Sequence, residues 1–207
     1  MPFGRYTILD DGVPVGTEEF RSAPGPMGWR SFSEVDTRLP HPHHETIDVA
    51  VDAAWRLANL RIATGEHELL LRPSPDGEIL RGALDREPIE IAFGPDVHVD
   101  YLTPATNAVT VRRLGSTAEI EVLYLEPVSL EPTRVRQRYE LLGEERVATG
   151  AGTFEATRWR FTALDSGWTS DLWVAGETVV RYERLYELEW LDPGASGPRP
   201  LSPDAGG

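Results

Sequence analysis

Apolar and polar residues alternate with period two along most of the chain, the pattern of strands that keep one face dry and one wet. Ile89, Ile91 and Phe93 alternate with Pro88, Glu90 and Ala92, and Ile120, Val122 and Tyr124 with Glu119, Glu121 and Leu123. Each set predicts a half-buried strand. From Val180 through Tyr182, Arg184, Tyr186, Leu188 and Trp190 the same period persists. It predicts one curved strand about 40 Å long, at about 3.4 Å per residue. Between Trp55 and Ile62 the apolar positions move from Trp55 and Leu57 to Leu60 and Ile62, a change of face that needs a bulge or bend.

Turn signals fall between these runs. Asp10-Asp11-Gly12, Ser74-Pro75-Asp76-Gly77, Leu142-Gly143-Glu144 and Ala175-Gly176-Glu177 read as hairpin turns, and connections this short join antiparallel strands. Phe93-Gly94-Pro95-Asp96 and Asp165-Ser166-Gly167-Trp168 punctuate in the same way. No stretch sustains helical spacing over three turns between a cap and a glycine, so the one helical turn of note is placed at 104–108. The fold class expected is mainly β, a curled antiparallel sheet with little helix. Residues 192–207, rich in proline and glycine, are expected to form a disordered tail. This leaves 1–191 as a single domain. A weak repeat sets Arg5-Tyr6-Thr7-Ile8-Leu9 against Arg138-Tyr139-Glu140-Leu141-Leu142, with Gly16 and Phe20 matching Gly150 and Phe154. It divides the domain into two similar halves, 1–130 and 131–191, although any two hairpins with a glycine bulge look alike.

Composition narrows the function classes. With 207 residues, 40% of them hydrophobic, the chain suits a soluble globular domain with a real core. Its formal net charge of -14 disfavours nucleic acid and anionic membrane surfaces as partners. Every one of the 20 basic residues is arginine, so Schiff-base lysines and P-loop lysines are excluded. Cysteine is absent, which removes disulfides and thiolate chemistry. No apolar run reaches the roughly 18 to 20 residues of a membrane span. The first residues lack a basic region followed by an apolar stretch, so the expected location is cytoplasmic.

Candidate chemistry is sparse. His41-Pro42-His43-His44-Glu45 holds three imidazoles and a carboxylate, but adjacent residues rarely converge and no distant ligand motif completes a zinc set. We expect a solvated loop there and no metal. Arg134, Arg136 and Arg138 share one strand face, where they can hold an anionic headgroup or, as the better reading, pair with Glu119 and Glu121 of the preceding strand. No serine sits in a nucleophile elbow and no phosphate-loop glycine pattern precedes a helix, so no enzyme signature is found. Six tryptophans is a high count, and rings on the concave face of a curled sheet can line a pocket. Trp55 and Trp173 are the candidates taken forward.

The most distinctive segment spans 97–114. It carries an acidic-aliphatic run, then Thr103-Pro104-Ala105-Thr106-Asn107, then aliphatic residues ending in Arg112-Arg113-Leu114. In order and spacing it resembles the putative glycolipid-binding family of bacterial proteins. The stretch from Ile47 to Arg56, followed by an aliphatic strand and Asp76-Gly77, looks like the early hairpins of that family. Glu78-Ile79-Leu80 and Thr110 depart from it, standing where members tend to have tryptophan and proline. The resemblance implies a spiral β-roll similar to bacterial lipoprotein carriers, holding an amphipathic lipid in its concave face.

Read physically, Thr103-Pro104 biases Thr103 towards extended geometry, and Asn107 closes a turn through its side chain. Val109 and Val111 then resume alternation and place Arg113 on their face, with Arg112 opposite. An inward Arg113 needs a partner, and Asp100 is the one expected. The ligand-binding candidates are therefore Trp55, Asp100, Asn107, Arg112, Arg113 and Trp173. The function expected is non-enzymatic binding of a hydrophobic or amphipathic ligand, with no cofactor. The alternative is an interaction protein without a small-molecule site, for which the lack of an apolar cavity near about 300 Å³ would speak. Exposed edge strands leave room for a homodimer.

Overall fold

The computed structural model describes residues 1–39 and 42–202. Strands β1 (Phe3–Asp10), β2 (Val13–Gly25), β3 (Gly28–Thr37) and β4 (His43–Asp52) lead by antiparallel hairpins to β5 (Leu57–Ala63), β6 (Glu68–Pro73), β7 (Ile79–Leu84) and β8 (Glu87–Ala92). A short β9 (His98–Asp100) and the helix α1 (Pro104–Leu114) follow. The chain then returns through β10 (Ala118–Leu125), β11 (Pro132–Thr149), β12 (Gly152–Ala163), β13 (Thr169–Ala175), β14 (Thr178–Tyr182) and β15 (Tyr186–Asp192). Because β15 pairs with β1, the fifteen strands of the described residues make one curled, unclosed sheet whose edges are β8 and β9. The pairing of β9 with β10 is parallel and the others are antiparallel. This is the mainly β, curled sheet expected from the alternation.

Backbone irregularities supply the curl. Two residues at positive φ close the β1–β2 hairpin at Asp11 and Gly12 and the β7–β8 hairpin at Asp85 and Arg86, the geometry that matches strand twist. The register of β4 against β5 shifts between Ala50 and Val51, which is the bulge the change of face at Trp55 to Ile62 required. Gly82 lets β7 press against β6, since a Cβ there would lie 1.6 Å from the carbonyl oxygen of Leu70. At one corner Arg134 of β11 reaches across to the end of β8, its guanidinium 4.7 Å from the Phe93 ring centroid and donating to the carbonyl of Ala92.

Three expectations are corrected. Residues 104–114 are a three-turn helix, not a helical turn followed by a resumed strand. The long strand from Val180 to Trp190 is two strands, β14 and β15, broken at Glu183, Arg184 and Leu185, with Arg184 at φ 63. Leu142-Gly143-Glu144 is a bulge inside β11, where Gly143 takes φ 125 and the register against β12 shifts, and the hairpin itself turns at Gly150 and Ala151.

Helix α1 touches β4, β9 and β14, which lie far apart in the sheet order, so it runs inside the curl. Around it the concave face forms one apolar core in which Leu60, Ile62, Leu69, Leu71, Leu125 and Leu188 are fully enclosed. Of the segment 192–207, Leu201 donates its N–H to the Thr153 carbonyl at 2.7 Å and Gly197 donates to Pro193. Residues 203–207 lie outside the described residues. Among the described residues no helix is long and apolar enough to cross a membrane.

Candidate functional site

The segment between β9 and α1 organises the interior. Thr103 has extended dihedrals, φ -152 and ψ 141, and its hydroxyl accepts the N–H of Ala105, so it caps α1 with Pro104 inside the first turn. The same hydroxyl donates to Glu18 on β2 at 2.7 Å. Tyr101 donates its phenolic proton to Glu45 on β4 at 2.7 Å, and Tyr186 on β15 donates to the Leu102 carbonyl at 2.9 Å. At the other end Gly115 takes φ 63 and returns its N–H to Val111, which closes the helix.

This pinned segment forms one wall of a cavity of about 460 Å³, within the range that holds small ligands. Asn107 of α1, Tyr124 of β10, Val135 and Gln137 of β11, Phe161 and Ala163 of β12, and Tyr182, Leu185 and Tyr186 complete it. At its mouth stand Arg136, Asp165, Ser166 and Trp168, of which Trp168 is 42% exposed. Aromatic edges run from the interior to that mouth, with Tyr139 against Phe161 at 5.3 Å and Phe161 against Trp168 at 5.6 Å.

The floor is polar. Gln137 donates to Oδ2 of Asp100 at 2.5 Å, and Tyr139 donates to Oδ1 of Asn107 at 3.1 Å. The Asn107 amide reaches the Thr103 carbonyl at 3.4 Å. Burial pushes the Asp100 carboxyl up to about 6 against the opposing bond from Gln137. Burial likewise holds the Tyr139 and Tyr182 phenols above their ordinary value, with Asp100 adding to both shifts.

The six sequence-predicted residues separate into three places. Asp100 and Asn107 meet at the cavity floor. Trp55, Arg112 and Arg113 gather at the other end of α1, with the Arg112 guanidinium 5.7 Å from the Trp55 ring centroid. Trp55 sits in the β4–β5 turn at φ 61, not on a strand. Trp173 is packed in the core, its indole N–H on Glu145 and Arg158 over its ring. The expected pair of Arg113 with Asp100 does not form. On a helix Arg113 points back towards the loop before β9, where it donates to Asp96 at 2.6 Å and to the Val97 carbonyl at 2.9 Å.

Arg134 and Arg136 pair with Glu121 and Glu119 at 2.6 and 3.5 Å, so the expected partners are found, but diagonally across the strands rather than one pair per rung, and Arg138 pairs with Glu140 at 3.7 Å. The opposite face of that strand carries Val135, Gln137 and Tyr139, and the site uses this face. A glutamine between two apolar residues on the dry face was the available signal. Among the described residues no cluster of metal-ligating groups is found, and His43 and His44 bond to Glu45 and Asp36 separately. His41 lies outside the described residues.

A family model described as putative glycolipid-binding matches residues 13–187. Two crystal structures are similar in fold. One is a DUF1089 family protein from Pseudomonas aeruginosa, 21% identical with a TM-score of 0.58, the match covering 82% of this chain and 91% of that one. The other is a β-barrel-like protein of the domain of unknown function DUF1849 from Brucella abortus, 8% identical with a TM-score of 0.53, covering 92% of this chain and 96% of that one. At these identities the likeness is one of fold. No curated protein matches the chain.

Proposed function

The chain belongs to the putative glycolipid-binding family, and from that membership we propose that it binds an amphipathic small molecule in the cavity beside α1 without transforming it. The observation that carries this reading is a cavity of about 460 Å³ with apolar walls, a hydrogen-bonding floor at Asp100 and an aromatic rim at Trp168. Burying hydrocarbon against Phe161, Tyr182, Leu185 and Tyr186 supplies affinity at roughly 25 cal/mol per Å² removed from water, less the cost of immobilising the ligand. The polar floor then selects which end goes in. The volume exceeds the roughly 300 Å³ below which an interaction protein without a ligand was the better reading.

Native mass spectrometry of protein purified without detergent, followed by organic extraction of what it carries, tests the proposal. A stoichiometric amphipathic adduct is expected. Ala163→Trp, which fills the cavity from β12, is expected to abolish the adduct while leaving the melting temperature within a few degrees of wild type. A bare mass, with no uptake when lipids are offered, would overturn the reading.

A further inference from the structure

Resting on that reading, we propose that the end of the ligand seated at the floor is a neutral hydroxyl group donating to Asp100, and that the floor discriminates against carboxylate, phosphate and ammonium ends.

Asp100 is half-buried and lines the cavity. Gln137 occupies its Oδ2, and among the described residues Oδ1 accepts no hydrogen bond. Oδ1 is not fully enclosed, and Asp100 lines the cavity. A free acceptor at the foot of an apolar cleft calls for a donor from the ligand. Tyr182 and Tyr124 line the same cavity, and a phenol can accept from, or donate to, a second hydroxyl on the ligand.

Charge decides which donor. Among the described residues that line the cavity, Arg136 is the one cation, and it stands exposed at the mouth and paired with Glu119. An anionic end would therefore meet Asp100 at the floor with no cation to offset it. The floor also solvates charge poorly, since burial alone lifts the Asp100 carboxyl to about 6. An ammonium end would have to shed its water there, and the one open carboxylate oxygen, Oδ1, leaves two of its three N–H groups without a charged acceptor. An uncharged hydroxyl loses little water and satisfies Oδ1, while its hydrocarbon lies along the Phe161 to Trp168 wall.

Four probes of equal chain length, decanol, decyl glucoside, decanoate and decylammonium, are titrated against the intact protein at pH 8 below their micelle-forming concentrations. Quenching of tryptophan fluorescence is read, with native mass spectrometry as a second measure. Decanol or decyl glucoside is expected to bind at least about tenfold more tightly than decanoate and decylammonium. Asp100→Asn keeps an acceptor and removes the charge, so it is expected to hold decanol within a few-fold and to gain decanoate. Asp100→Leu is expected to lose the preference for decanol. Decanoate or decylammonium matching decanol on the wild-type protein would overturn the hydroxyl assignment and leave the cavity a lipid site. Failure of all four to bind would overturn the cavity reading and this inference with it.

Discussion

Thr103 and Glu18 are joined by a 2.7 Å hydrogen bond in which the threonine hydroxyl donates to the carboxylate while accepting the N–H of Ala105 at 3.3 Å. One side chain thus caps α1 and satisfies half of a carboxyl group that is 1% exposed. Thr103→Val keeps the shape and removes both interactions. A cap is worth about 1 kcal/mol and a hydrogen bond to a buried charged group about 1.5 to 3 kcal/mol, so a loss of about 2 to 4 kcal/mol is predicted in urea unfolding at pH 8, where Glu18 is ionised. In a Glu18→Leu background, where no acceptor remains, the same change is predicted to cost little beyond the cap. A loss below about 1 kcal/mol in the wild-type background would refute the joint role.

Glu18 also sets a pH dependence. Burial lifts its carboxyl from 4.5 to about 7, with Glu45 adding to the shift and the Thr103 hydroxyl opposing it. The folded state therefore holds a proton that the unfolded chain has released, and stability falls as pH rises from about 4.5 through about 7. The full effect is on the order of 3 kcal/mol. His98 works in the opposite sense below about 6.5, because burial and Arg113 push it down to about 4 in the fold. Asp100, at about 6, acts with Glu18. The clearest window is thus pH 6.5 to 8, where stability is predicted to decline and where Glu18→Gln should flatten the curve and raise its upper end. Parallel curves for the two proteins would show that Glu18 is ionised throughout.

The sheet was legible because its faces differ in solvation, and a period of two reports that directly, as at Ile120, Val122 and Tyr124 on β10. The helix was not, although its punctuation stood in plain view, with Thr103 before it, Pro104 in its first turn and Gly115 after it. Val109, Thr110 and Val111 imitate a strand, and α1 is wetted on so narrow a side that helical periodicity fades. That one misreading displaced Arg113 from Asp96 to Asp100. Asp100, named as the expected partner of Arg113, and Asn107, named as a turn residue, both line the cavity, because the segment that drew attention to them forms its wall. Phe161, Tyr182 and Tyr186 were not found, because an aromatic residue facing a cavity has the same neighbours in sequence as one packed in the core.

Gly82 offers a test of the sheet that is independent of any ligand. The Cβ of an alanine there would meet the Leu70 carbonyl oxygen at 1.6 Å, and that oxygen belongs to backbone in the neighbouring strand. Relief requires β7 to move away from β6, next to the fully enclosed Leu71 and Leu80. Gly82→Ala is predicted to destabilise the protein by at least about 2 kcal/mol in urea unfolding. Gly12→Ala, at a hairpin tip with nothing within 4 Å of the added Cβ, isolates backbone strain at φ 87 and is predicted to cost about 1 kcal/mol. Equal losses at the two positions would mean that β6 and β7 are not pressed together.

Arg113 distinguishes the C-terminal end of α1 from the cavity, which it does not line. Its side chain is 12% exposed and holds the loop before β9 through the Val97 carbonyl and Asp96, the latter 90% exposed. It lines a void of about 20 Å³ beside Trp55 and His98, away from the floor formed by Asp100 and Asn107. Arg113→Met keeps the stem packed and deletes both bonds, so a loss of about 1 to 2 kcal/mol is predicted, most of it from the carbonyl left without its charged donor. The arginine also depresses His98, so the variant should let that imidazole titrate at a higher pH, visible in its NMR ring shifts. Affinity for an amphipathic ligand is predicted to stay within about threefold of wild type at a temperature where both proteins are folded. A tenfold loss there would place the ligand at the C-terminal end of α1, with Trp55 and Arg112, and move the binding site away from Asp100.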